Sequence, residues 1–160
     1  MIKRSVLALV VFGAALVMSE PVAHASRPHG AKAQAVRAVV DLSEQRASFY
    51  GRNGVLLRSA PISSGAAQTP TPTGTFKVWK HRAETFSPAD PAVRMLHMTN
   101  FYGSIGFHGI PFVREGGAVR PLYTPLGMYG ISHGCIRMRN VDARWVFSHL
   151  PVGATVEVRE

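Results

Sequence analysis

The amino-acid sequence predicts one mainly β domain with one or two short helices, and three observations support this fold class. The 160 residues include 15 glycines and 11 prolines, above the average share of about 12% for the two together, which favours a turn-rich β architecture over a helix bundle. Hydrophobic residues make up 46% of the chain, which excludes a disordered protein that could not bury an apolar core. Only one stretch has a clear helical period. The length leaves room for one domain and a targeting segment.

The N-terminal segment has the pattern of a secretory signal peptide. Lys3 and Arg4 supply positive charge, and Val6 to Met18 form an apolar run that is too short to span a bilayer as a helix. Ala23-His24-Ala25 then supplies small residues at the spacing that a signal peptidase recognises. We therefore expect an exported protein, in the periplasm or cell wall, with no integral membrane segment after cleavage. The predicted organisation is a signal peptide at 1–25, a flexible lead-in at 26–37 and one domain at 38–160.

Short β-like runs separated by turn signals follow along the domain. Arg52-Asn53-Gly54 is a tight-turn signal because Asn-Gly tolerates positive φ, and the prolines at 70 and 72 make residues 68–74 a rigid loop rather than a central strand. We expect strands at 39–42, 46–50, 55–63, 75–79, 93–98, 104–108 and 154–158.

The clear helical stretch begins near Asn140. Asn140 is suited to cap the N-terminus and Asp142 to lie in the first turn. Apolar residues at 143, 146, 147 and 150 share one face, and Pro151 ends the helix.

Charge and cysteine content exclude several classes of function. The formal net charge is +9, but no basic run exceeds two residues, so the pattern does not favour a nucleic-acid partner. The single cysteine excludes an intrachain disulfide and a multi-cysteine zinc site. The seven histidines show no paired ligand spacing, and we expect neither a metal nor another cofactor.

Cys135 lies in the segment Ser132-His133-Gly134-Cys135-Ile136-Arg137-Met138. A thiol becomes a nucleophile as the thiolate, and a neighbouring imidazole can accept its proton. His133 would share a face with Cys135 on an extended chain, and Gly134 would let a substrate approach closely. His108, at the end of a predicted strand, is a second candidate base, and the spacing alone does not choose between the two. A lone cysteine is often only a small buried hydrophobe, but an unpaired thiol in an exported protein risks oxidation.

Phe107-His108-Gly109 followed by residues 132–138 resembles the signature of the L,D-transpeptidase catalytic domain, the YkuD family. Val40 to Ser43, Thr69 to Phe76 and Pro151 to Gly153 also fit the family pattern. The resemblance covers most of residues 38–160 and implies a β-sandwich-like fold. It also implies peptidoglycan chemistry, in which a cysteine takes the acyl group of a tetrapeptide stem, releases D-Ala and passes the acyl group to an amine.

The resemblance assigns roles to the residues of the motif. Cys135 is the expected nucleophile, His108 its general base, and the Gly109 carbonyl the group that orients the imidazole. His133 with the backbone amides of Gly134 and Cys135 would line the acyl oxyanion. Ser132 would shape the site. Arg137 is either a ligand for a substrate carboxylate or the partner of Asp142 in a buried ion pair.

The 23 residues between His108 and Ser132 exceed the length in compact family members. Residues 110–130 would form either a lid over the donor groove, hinged at Gly116 and Gly117, or a plain surface loop.

The expected partners are peptidoglycan stem peptides and, as a possible acceptor, a wall-attached protein. Anionic wall polymers would suit the basic surface. Two alternative functions remain open. One is an L,D-carboxypeptidase or amidase that hydrolyses the thioester formed by the same residues, and the other is a non-catalytic wall-binding module.

Overall fold

The computed structural model describes residues 34–160, so the predicted signal peptide and most of the lead-in lie outside the described residues. This part of the chain contains eleven strands and one helix. The strands are β1 Arg37–Asp41, β2 Arg46–Tyr50, β3 Leu56–Pro61, β4 Gly74–Lys77, β5 Lys80–Phe86, β6 Arg94–Tyr102, β7 Ile105–His108, β8 Phe112–Glu115, β9 Ala118–Pro121, β10 Ile136–Arg137 and β11 Thr155–Arg159; the helix is α1 Asn140–His149.

The strands form two sheets. The first has the order β3-β2-β1-β11-β4, and the parallel pairing of β1 with β11 joins the two ends of the domain. The second has the order β10-β7-β6-β8-β9, with β5 also paired to β6. The parallel pairing of β10 with β7 brings the two parts of the sequence motif side by side.

One apolar core joins both sheets and the helix. In β1 and β11 alternate residues are buried, as expected for strands with one face on a core. Phe49 of the first sheet packs edge to face on Phe107 of the second at 5.6 Å between ring centroids, and on Trp145 of the helix at 5.7 Å. The predicted mainly β, sandwich-like fold is confirmed.

Several details differ from the sequence-based expectations. Strands β5, β8, β9 and β10 were not predicted. The ordered fold also begins before residue 38, because Ala35 is fully buried and its N–H donates to the His149 carbonyl at 2.9 Å.

The predicted helix is present, but its capping prediction is wrong. Arg139 occupies the N-cap position and makes no capping side-chain bond. Asn140 Oδ1 instead accepts the N–H of Ile110 at 2.9 Å. The side chain predicted as a cap therefore ties the segment after His108 to the start of the helix.

Asp142 lies in the first turn as predicted, but its partners are not the expected one. Its carboxylate accepts the Nε–H of Arg58 at 2.9 Å and that of Arg139 at 2.7 Å. Both oxygens therefore have guanidinium partners other than Arg137. The predicted alternative of an Arg137–Asp142 ion pair is wrong.

We expect Asp142→Ala to destabilise the domain by about 3 kcal/mol, because removing one partner of a buried ion pair leaves the other charge uncompensated. The Asp142 side chain is 1% exposed and that of Arg58 is 25% exposed. For a domain of this size the loss corresponds to a thermal midpoint roughly 10 °C lower. Glu157→Gln is the matched control, because the Arg37–Glu157 pair is about 40% exposed on both sides and should contribute under about 1 kcal/mol. Equal midpoints for the two variants would contradict the structural role of Asp142.

Candidate active site

The parallel pairing of β7 with β10 brings the two parts of the motif together. Phe107 is paired with Ile136, and His108 with Arg137. Gly106 permits the close approach of β7 to β6, since a Cβ at this position would lie 2.4 Å from the Thr99 carbonyl oxygen. The sheet therefore holds His108 rigidly beside the segment that carries Cys135.

Residues from both parts of the motif line a cavity of about 290 Å³, which lies between the motif and β5. Five of the predicted site residues reach it; Gly109 and Gly134 do not line it. Apolar side chains of β6 and β7 form much of the wall, and residues 85–89 form another part. The lining residues are Arg82, Thr85, Phe86, Ser87, Pro88, Ala89, Met95, Met98, Ser104, Ile105, His108, Ser132, His133, Cys135 and Arg137.

The His108 imidazole is 1% exposed, and its environment fixes its tautomer. Its Nδ1 lies 2.6 Å from the Gly109 carbonyl oxygen. A carbonyl oxygen only accepts hydrogen bonds, so Nδ1 carries the proton and Nε2 has the free lone pair. Burial and, to a lesser extent, the positive charge of Arg137 lower the pKa of His108 to about 4, although the bond to Gly109 acts in the opposite direction. The imidazole is therefore neutral at pH 7 and able to accept a proton.

Cys135 is partly buried at the cavity wall, and its Sγ–H donates to the Ser104 carbonyl at 3.8 Å. The surrounding protein raises the pKa of the thiol by withdrawing it from water, while the Gly106 N–H and the charge of Arg137 act in the opposite direction. The resting state is a neutral thiol with a neutral imidazole. Such a site would generate the thiolate during attack, by proton transfer to a base.

The loop at 132–135 is held by a hydrogen-bond network centred on Ser132. Ser132 Oγ donates to the Cys135 carbonyl at 2.6 Å and accepts the Gly134 N–H at 3.0 Å. The Gly134 amide is thus engaged within the loop, and its contribution to an oxyanion site stays a prediction. Gly134 has φ +103° and a Cβ there would lie 2.8 Å from Ile105 Cδ1, so the turn requires glycine. His133 and Cys135 both line the cavity because the chain turns at Gly134, not because it is extended.

Two threonines that sequence reasoning did not single out brace the same loop. Thr69 Oγ1 donates to the Ser132 carbonyl at 2.8 Å, and Thr71 Oγ1 donates to the Gly134 carbonyl at 2.9 Å. Thr71 Oγ1 also accepts the Gly65 N–H at 2.9 Å. The sequence signal for this role of the threonines was the rigid loop predicted at 68–74, because a loop stiffened by prolines can hold hydroxyl groups in fixed positions.

Arg137 lines the cavity and is partly buried. Its Nε is buried and has no hydrogen-bond partner within residues 34–160. Burial lowers the pKa of this guanidinium, and the Cys135 thiolate would raise it. A cation in this position can bind an anionic group that enters the cavity.

Residues 110–130 consist of a hairpin and a following segment, and their action as a lid stays a prediction. Strands β8 and β9 form a hairpin in which Gly116 and Gly117, at φ +55° and +85°, make the turn rather than a hinge. The rest of the segment is held by backbone bonds, from Gly127 N–H to the Ile62 carbonyl at 2.7 Å and from Ile131 N–H to the Ser64 carbonyl at 3.0 Å. The cavity lining contains no residue of this segment.

Two features of residues 34–160 concern metal ions and membranes. No three His, Cys, Asp or Glu side chains come together there in a way that could hold a metal ion. The one helix of this region has 10 residues, too few to cross a bilayer.

Comparison with known proteins gives one consistent family. The family model of the L,D-transpeptidase catalytic domain, YkuD, matches residues 35–158. The chain is 32% identical over 118 residues to the Bacillus subtilis (strain 168) protein YciB, itself named only provisionally as an L,D-transpeptidase, covering 70% of this chain and 59% of that protein. It is 27% identical over 110 residues to L,D-transpeptidase 1 of Mycobacterium tuberculosis, covering 67% of this chain and 44% of that protein. The chain therefore spans about half the length of these curated relatives.

The fold comparison agrees. The solved structure of the L,D-transpeptidase LdtMt1 in complex with imipenem superposes with a TM-score of 0.66 at 23% identity, over 79% of this chain and 59% of that one. This likeness concerns the fold, while the family match includes both parts of the motif. The chain belongs to the L,D-transpeptidase catalytic-domain family, YkuD.

Proposed function

We propose that this chain is an exported cysteine L,D-transpeptidase. Its Cys135 would take the acyl group of a peptidoglycan tetrapeptide stem, release D-Ala and transfer the acyl group to an amine in the cell wall. The observation that supports this most strongly is the neutral His108, with its proton fixed on Nδ1 by the Gly109 carbonyl at 2.6 Å, in the same cavity as Cys135. Export rests on the N-terminal sequence pattern.

The first half of the reaction forms a thioester. His108 Nε2 accepts the Cys135 proton while Sγ bonds to the carbonyl carbon between the diamino acid and D-Ala. The carbonyl oxygen gains the negative charge. When the tetrahedral intermediate collapses, the C=O double bond forms again and the C–N bond breaks. The imidazolium gives its proton to the leaving amine of D-Ala.

The second half transfers the acyl group. An acceptor amine attacks the thioester carbon and gives its proton to His108. The C–S bond then breaks, and the thiolate of Cys135 recovers the proton. Because the Gly134 N–H donates to Ser132 Oγ, we assign the oxyanion to the Cys135 backbone amide and the His133 side chain.

Arg137 would bind a carboxylate of the stem close to the reacting bond. Its Nε lacks a partner within the described residues, and the carboxylate of Asp142 is taken by Arg58 and Arg139. A partly buried guanidinium without an anion is costly, so a substrate carboxylate would be bound more strongly there than at a fully exposed arginine.

The product mixture tests transfer against hydrolysis. The mature protein is incubated with a muropeptide that carries a tetrapeptide stem, and the products are separated and identified by mass. We expect cross-linked dimers that have lost one D-Ala. A mixture containing only trimmed tripeptide would assign the chain to hydrolysis, and binding to sacculi without any product would make it a wall-binding module.

A further inference from the structure

Strand β5 places a positively charged side chain at the cavity wall outside the catalytic motif. Arg82 lines the cavity and is exposed to solvent. It is paired with Met98 of β6, whose side chain lines the same cavity. Arg82 therefore lies next to the apolar wall formed by β6 and not on a remote surface.

The carboxylate closest to Arg82 along the same face of β5 is already engaged. Glu84 Oε1 accepts the Nε–H of Arg94 at 2.9 Å and an N–H of Arg114 at 3.0 Å. Two cations thus already surround the carboxylate of Glu84. Within residues 34–160, no carboxylate lies in salt-bridge range of Arg82.

The cavity itself is also positively charged. Its lining contains Arg82 and Arg137 but, among the described residues, no Asp or Glu. The two arginines belong to different elements: Arg137 follows the nucleophile on β10, and Arg82 lies on β5. A ligand that satisfied both would carry two anionic groups.

We propose that Arg82 is a specificity-determining residue that binds a carboxylate on the side chain of the acylated diamino acid. This proposal rests on the proposed function. After D-Ala leaves, the acyl residue remains bonded to Cys135, and its side chain extends into the cavity whose wall includes Arg82. The preferred donor is therefore a diamino acid with a carboxylate as well as an amine at its far end.

Two matched donors test the proposal. Both are the same tetrapeptide, one with a free carboxylate on the diamino acid side chain and one with the carboxamide at that position. We expect kcat/KM for acylation to favour the carboxylate by roughly two- to fivefold, as for an ion pair with an exposed arginine. In Arg82→Gln the ratio should fall to about one, mainly through a higher KM, and Arg82→Lys should restore part of it.

Arg120→Gln is the control, because Arg120 is exposed and bonded to Glu115 at 2.9 Å in the β8–β9 hairpin. It should retain the ratio of the unsubstituted protein. A carboxylate-to-carboxamide ratio of one in the unsubstituted protein, or an unchanged ratio in Arg82→Gln, would overturn the proposal. Calorimetric binding of both peptides to the Cys135→Ala variant gives the same ratio without turnover, so the inference and the proposed reaction fail separately.

Discussion

Cys135→Ala is expected to abolish acyl transfer, with turnover of a tetrapeptide donor falling at least about 10⁴-fold because no other group at the site can form the thioester. The fold should be retained. Cys135 is only partly buried, and its thiol makes one weak bond, 3.8 Å to the Ser104 carbonyl. Release of D-Ala, followed by mass spectrometry, measures the loss.

Thermal unfolding and stem-peptide binding are the controls for this variant. We expect the thermal midpoint within a few degrees of the unsubstituted protein and binding of the same order, since Arg82 and Arg137 remain. Residual D-Ala release near the original rate would show that Cys135 is not the nucleophile. Cys135→Ser should also be nearly inactive, because an alcohol gives up its proton far less readily than a thiol.

His108→Gln is expected to reduce acylation by about 10²- to 10⁴-fold, the usual contribution of a general base. The glutamine side chain is polar and of similar length, but it does not replace the imidazole Nδ1–H that the Gly109 carbonyl accepts at 2.6 Å. The lone pair that accepts the thiol proton is lost. Single-turnover acylation kinetics measure the effect, and a loss below threefold would rule out His108 as the base.

The pH dependence gives His108 a signature of its own. Burial lowers the pKa of His108 to about 4, so the neutral base is already present at pH 6. We expect acylation to change little between about pH 5.5 and 7.5 and to fall below pH 5 as the imidazole is protonated. In His108→Gln this acid limb should disappear. An acid limb centred near 6.5 in the unsubstituted protein would contradict the buried, neutral imidazole.

The lowered pKa of His108 also predicts how the stability of the domain depends on pH. Unfolded His108 binds a proton near its ordinary pKa of 6.5, whereas the folded state does so only near 4. The free energy of unfolding is therefore unaffected by this group above about pH 6.5. It decreases by roughly 3 kcal/mol as the pH falls towards 4, because the unfolded state takes up the proton first. His81 and His97 also have lowered pKa values through burial and act in the same direction. The difference in acid sensitivity between the unsubstituted protein and His108→Gln isolates the contribution of His108.

The parts of the fold that the sequence predicted are those with one buried face. Strands β1, β2 and β11 alternate buried and more exposed residues, and that pattern is readable from local sequence. Strands β5 and β9 contain no fully buried residue, so no apolar alternation marks them. The pair Gly116-Gly117 suggested a hinge because sequence alone does not distinguish a mobile glycine pair from a tight hairpin turn.

The residues of the site also fall into those that the local sequence predicts and those that it does not. Cys135, His108 and Arg137 were found because they lie in the two short segments of a dense sequence motif, which the pairing of β7 with β10 brings together. Thr71 and Arg82 come from other segments and reach the site only through tertiary packing. The partner of Asp142 was mistaken for the same reason, since Arg58 is 84 residues away along the chain.

The most direct test of the account is the intact mass of the mature protein after incubation with imipenem, the compound held in the solved LdtMt1 structure. The proposed mechanism predicts one covalent adduct, located on Cys135 by peptide mapping. It should be absent from Cys135→Ala and form more slowly in His108→Gln. No adduct, or an adduct on any other residue, would contradict the claim that Cys135 is a nucleophile activated by His108.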